Sequence, residues 1–206
     1  MNVFPCNLNG WVIAIVAYCL VAIAAFLPTL NAILRKIQLH PGGDSFNESL
    51  YFSDEGKKIL TQHYSRIRGT LLFWKNQAEK FKNFHYYCLL WTIPISILIP
   101  IITQLIDEDY FSKLFLTIIS SHAALLIGFH QGLRIEANYR AFRNGESDFY
   151  DLYRRMLDEP KSFGNTETIQ IDTYIQDVAI VRKLVRNAET NNFPTLEDVK
   201  LTHRDK

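Results

Sequence analysis

Cysteine is scarce in this sequence: three in 206 residues, Cys6, Cys19 and Cys88, with no Cys-x-x-Cys among them. That excludes a paired disulfide framework and a thiolate zinc site, and leaves the cysteines inside apolar runs as small packing residues. There is no Gly-x-x-x-x-Gly-Lys phosphate loop, no His-Glu-x-x-His zinc motif and no Gly-x-Ser-x-Gly nucleophile turn. The six histidines are scattered. His85 and Cys88 stand three apart on a helical stretch, but no second pair of that kind completes a metal site. No basic segment precedes the first apolar run, which is also too long for the core of a cleaved secretory signal. The expectation is a chain that is not an enzyme, carries no cofactor or metal, and has no nucleic-acid partner.

What the chain does have is segregation. Lys and Arg number 22 and Asp and Glu 21, a net charge of +1, yet nearly all of that charge lies outside three apolar blocks. The first is Gly10–Leu34, followed at once by Arg35 and Lys36. The second and third form a hairpin over 83–133, joined by the acidic turn Asp107-Glu108-Asp109. A bilayer core of about 30 Å takes roughly 20 apolar residues of helix, and each block is about that long. In the first block Pro28 predicts a kink or tilt near its end. Ala14, Ala17 and Ala24 lie roughly on one side, either as a close-packing face or as filler.

The stretch His40 to Phe52 is rich in turn chemistry and reads as a mobile loop. Its Asn47-Glu48-Ser49 sequon is discounted, because the topology below puts it on the cytoplasmic side. A helix then opens near Ser53 or Asp54, either of which can cap it. Leu60, Tyr64, Ile67, Leu71, Trp74, Ala78 and Phe81 alternate in steps of four and three, the seam of a helical bundle. No proline intervenes before the second apolar block, so one long helix is expected to run into it, with Tyr86, Tyr87 and Trp91 at the interface. Within the block, Pro94 and Pro100 mark bend points for gating. Thr92, Ser96 and Thr103 are candidate polar pore-lining residues, or ordinary hydroxyls bonded back to the preceding turn.

In the third block Ser120, Ala124, Gly128 and Gly132 recur at four-residue intervals, a small-residue ridge suited to helix packing and an oligomer interface. His122 and His130 project from the other side. Two readings of His122 stand open: it faces a water-filled path or a subunit contact, or it is a neutral, hydrogen-bonded packing residue. After Arg134 the helix is expected to continue, with Ile135, Tyr139, Phe142, Phe149, Tyr153 and Met156 keeping the four-three spacing. Glu146 falls on that stripe and needs a partner, with Arg66 or Arg68 as the expected buried ion pair. Pro160 ends the helix, and a last helix is expected over about 169–189.

Arg35, Lys36, Arg66, Arg68, Lys75, Lys80, Lys82, Arg134, Arg140 and Arg143 flank one side of the spans, while the other turn has Lys113 against three acids. By the positive-inside rule the N-terminus lies outside and the C-terminus in the cytoplasm, in the inner (plasma) membrane. The same basic flanks suit anionic lipid headgroups. The fold expected is an all-α membrane protein with three transmembrane helices, the second and third extending into a cytoplasmic helical bundle. Its parts are an N-terminal transmembrane helix (1–36), a cytoplasmic loop (37–52), a helical hairpin with extensions (53–159, spans at about 84–106 and 113–133) and a C-terminal helix and tail (160–206).

The cytoplasmic run Trp74-Lys75-Asn76-Gln77-Ala78 before a paired hairpin, and Tyr139-Arg140-Ala141-Phe142-Arg143, Glu146, Phe149-Tyr150 and Tyr153 directly after it, resemble the SLATT superfamily. These are two-transmembrane effector domains associated with nucleotide second-messenger synthases and SLOG sensors in bacterial conflict systems. The resemblance covers roughly 53–157 and rests on helical spacing of aromatic and basic residues. It implies a homo-oligomeric, pore- or channel-forming membrane effector in antiphage (antiviral) defence, with a nucleotide second-messenger synthase or sensor as partner. The extra helix Gly10–Leu34 departs from the family's simplest form, and no appended nucleotide-sensing domain is recognisable. The alternative is a non-conducting membrane scaffold or sensor whose cytoplasmic helices dock a soluble partner.

Overall fold

A computed structural model describes residues 9–35, 39, 45–106 and 109–192. These residues form five α-helices and two short 3-10 turns, with no strand among them. The helices are α1 (Gly10–Leu34), α2 (Asp54–Leu105), α3 (Tyr110–Gly132), α4 (Ile135–Asp158) and α5 (Glu167–Asn192), with 3-10 turns at Phe46–Glu48 and Pro160–Phe163. Asp107, Glu108, Cys6, Lys36 and the tail from 193 lie outside the described residues.

Two compact units divide the chain: α1, α2 from Lys82 onward and α3 make the first; the segment Arg35–Phe81, α4 from Glu136 and α5 make the second. Three helices, α1, α2 and α3, are long and apolar enough to cross a membrane. At 1.5 Å per residue α1 is about 37 Å long and α3 about 34 Å, each exceeding a hydrocarbon core of about 30 Å. Asn9 caps α1: its side-chain carbonyl accepts the Trp11 amide at 3.0 Å, while its amide donates to Asp109 at 3.0 Å. That bond brings the start of α1 to the start of α3.

The second unit is a helical bundle built on the four-three seams. Leu60, Ile67, Leu71, Trp74 and Ala78 of α2 pack with Phe142, Phe149, Tyr153 and Met156 of α4 and Tyr174, Val178, Val181 and Val185 of α5. Burying each large side chain contributes about 1.5–3 kcal/mol. Ser53 caps α2, accepting the Gly56 amide at 3.1 Å. Glu167 of α5 in turn takes the Ser53 hydroxyl at 2.6 Å and the Ser53 amide at 3.2 Å. Two helix starts are thereby tied by one carboxylate.

Three expectations are corrected. The stretch 37–52 is more than a loop: Leu39, Phe46 and Phe52 are buried in the bundle core, and Phe46 packs on Tyr153 with ring centres 4.7 Å apart. Residues 40–44 lie outside the described residues. The helix is not continuous past Arg134: α3 stops at Gly132, and Arg134 takes φ 44° before α4 begins. A side-chain-bearing residue in the left-handed region cannot continue a right-handed helix. Finally, Glu146 is not paired with Arg66 or Arg68. Arg143, one turn earlier on α4, donates to it at 2.8 Å. Arg66 and Arg68 flank the buried Ile67 and are exposed, directed away from the seam that buries Glu146.

Candidate functional site in the apolar unit

Helix α3 has two unlike sides. Ile119, Ala123 and Leu126 are buried against α1 and α2. On the other side run the small residues: Ser120 is half-buried, and Ala124, Gly128 and Gly132 are exposed. A Cβ added at Gly128 or Gly132 would meet no atom within 4 Å. Among the described residues, therefore, the two glycines of the ridge face no neighbour.

His122 sits on the covered side, where three helices meet. The Tyr18 hydroxyl of α1 lies 2.6 Å from His122 Nδ1, and the Tyr87 hydroxyl of α2 lies 3.3 Å from Nε2. Tyr87 also reaches the Ala22 carbonyl of α1 at 3.4 Å. A neutral imidazole offers one donor and one acceptor. One proton arrangement satisfies every group: Tyr18 donates to Nδ1, Nε2–H donates to the Tyr87 oxygen, and Tyr87 donates to Ala22. The Trp91 ring closes the cluster, 5.5 Å from the imidazole and edge-on to Tyr18 at 5.1 Å. Trp11 on Phe115 at 5.8 Å and Phe26 on Tyr87 at 5.1 Å extend the contact along α1. The N-terminal helix is thus packed against the hairpin over most of its length.

A second histidine contact joins α2 and α3: His85 Nδ1 and His130 Nε2 are 2.8 Å apart. One imidazole N–H donates to the other's lone pair. A register counted outward from the hairpin turn sets these two opposite each other; reading each span separately missed the pair. No cluster of three metal-ligating side chains occurs among the described residues.

The candidate pore-lining hydroxyls are bonded within their own helix. Thr92 donates to the Cys88 carbonyl at 2.7 Å, Ser96 to Thr92 at 2.6 Å and Thr103 to Ile99 at 2.7 Å. This is the back-bonding that lets hydroxyls sit in apolar surroundings. Pro94 and Pro100 lie inside an unbroken α2 and are exposed. Cys88 is buried and free, and Cys19 is exposed and free.

Comparison with known protein families, curated proteins and solved structures finds no match to this chain.

Proposed function

We propose that the chain is a membrane effector of the SLATT type that self-associates and forms a pore. Its three apolar helices would span the inner membrane with the N-terminus outside and the second unit in the cytoplasm. The observation that carries this reading is the open ridge Ser120–Ala124–Gly128–Gly132. In lipid, helices associate by close packing rather than by the hydrophobic effect, and small residues let backbones meet. Since one hairpin cannot enclose a water path, the pore would be a closed ring of copies. The bundle would receive the signal from a nucleotide second-messenger synthase or sensor, in keeping with a bacterial conflict system.

The ridge is a clean place to test this, because a Cβ added at Gly128 or Gly132 meets no atom within 4 Å among the described residues. Gly128→Leu or Gly132→Leu should leave the protomer folded, reduce the assembly size in detergent and abolish ion flux from liposomes. An unchanged assembly with undiminished flux would rule the mechanism out.

A non-conducting scaffold is supported by a different observation: Thr92, Ser96 and Thr103 bond to their own helix and His122 to two tyrosines. Few polar groups remain to line a path, although hydrophobic constrictions do gate channels. Expression in a host cell separates the two readings, since a pore depolarises the membrane and a scaffold does not.

A further inference from the structure

Along its own helix His85 has Cys88 as a neighbour, and the fold brings a second imidazole to it from across the hairpin. His85 Nδ1 of α2 and His130 Nε2 of α3 are 2.8 Å apart, with ring centres 5.0 Å apart and ring planes inclined by 34°. Both side chains are half-buried, so water and ions reach them. One turn further into the apolar unit, Cys88 and Leu126 are buried together with Tyr87, which holds the two backbones in this register. The His85 ring also rests edge-on to Tyr86 at 5.6 Å.

This spacing suits a shared metal ion as well as a shared proton. Two imidazole nitrogens on one tetrahedral ion, each about 2.05 Å from it, stand about 3.3 Å apart, with their ring centres about 5.2 Å apart. The His85 and His130 rings would move apart by only about 0.2 Å and turn their nitrogens toward a common point, within the reach of side-chain torsions. One nitrogen already offers its lone pair to the gap. The other does so once its proton moves to the outer nitrogen of the same ring. No third His, Cys, Asp or Glu joins the pair among the described residues, so water fills the remaining positions. Imidazole favours zinc, copper and nickel, whereas magnesium and calcium take oxygen ligands. Lys82 and Arg134, each within four residues of one histidine in the chain, further disfavour an ion held by charge alone.

We propose that His85 and His130 together bind one divalent transition-metal ion per chain. The ion replaces the hydrogen bond between the rings and staples α2 to α3 at the end of the hairpin away from its turn. The site does not depend on whether an assembly conducts.

The test uses the full chain in detergent, purified through a tag that carries no histidine, stripped with EDTA and titrated with zinc and with nickel by calorimetry. Wild type should bind one ion per chain, and magnesium should not compete. His85→Gln and His130→Gln each keep a hydrogen-bonding group across the helices and remove the imidazole. Each should weaken binding at least about tenfold, to the level of a single histidine. Copper(II) at half an equivalent should show two nitrogen ligands on wild type by electron paramagnetic resonance and one on either variant. If the variants fail to fold, the wild-type copper spectrum decides, and any count other than two nitrogens overturns the site. Equal binding by wild type and both variants places the ion on other histidines and overturns it. So does one ion for every two chains, or no binding at roughly 1 mM ion.

Discussion

His122 shows how one polar residue is accommodated in an apolar unit. Its two ring nitrogens meet two tyrosine hydroxyls from two other helices, so both are used and neither needs water. The imidazole thereby ties α1 to the hairpin. Interhelical hydrogen bonds of this kind are worth about 0.6 kcal/mol on average and up to about 1.7 in lipid. Tyr18→Phe should therefore destabilise the detergent-solubilised unit by about 1 kcal/mol, and Tyr18→Phe combined with His122→Ala should cost less than the separate effects added. Strict additivity in that cycle would mean the two side chains do not act together. Glu146 is the corresponding case in the bundle. It is 5% exposed on a packing stripe and takes its charge partner from its own helix.

At the scale of elements, the glycines separate packing from propensity. Gly69 and Gly145 both lie inside helices, α2 and α4. A Cβ at Gly69 meets nothing within 4 Å. At Gly145 it would stand 2.2 Å from Val185 Cγ2 and 3.5 Å from the Trp74 ring. Gly69→Ala should raise stability by up to about 1 kcal/mol through helix propensity alone. Gly145→Ala gains the same propensity, but overpacking costs about 1–3 kcal/mol, so the net change should be destabilising. Chemical denaturation of the two variants checks this, and a stabilised Gly145→Ala would show that α4 and α5 do not pack this closely. Helix α2 needs no break at its prolines, whereas α3 and α4 are parted at Leu133 and Arg134, where no proline stands. The left-handed Arg134 makes that stop.

For the molecule as a whole, α2 contributes residues to both units, an apolar one and a bundle with a mixed polar surface. The bundle carries a pH response. His63 is half-buried against the Tyr174 ring at 5.7 Å, and its Nδ1 has no partner among the described residues. Burial first, then the Arg182 and Arg66 guanidiniums, hold its imidazole below the ordinary value of 6.5. Burial also pushes the Tyr150 and Tyr153 phenols up to about 12, so these stay neutral across the same range. As pH falls through 6.5 the unfolded chain takes up a proton at His63 that the folded chain resists. The stability tied to a neutral His63 is present above that value and is lost as pH falls toward the folded one. His63→Gln should flatten the acid slope of the denaturation midpoint between about pH 8 and about pH 5. Identical slopes in the two proteins would remove His63 from the account.

The helices themselves were legible in the residues, because apolar length and four-three spacing are local properties of a chain. Leu60 through Phe81, and Tyr174 through Val185, lie on the bundle's core side for that reason. The exposed glycines of α3 were legible in the same way, since their spacing marks a ridge whatever covers it. What spacing does not carry is which partner a side chain meets across helices. Tertiary structure alone brought Tyr18 and Tyr87 to His122 and laid Phe46, in a stretch read as loop, into the bundle core. The pairing of Glu146 with Arg143, three residues earlier on the same helix, was by contrast a local contact that spacing could have offered. The contacts across helices depend on the rotation of one helix about its axis relative to another, a quantity fixed by the packing of many side chains at once.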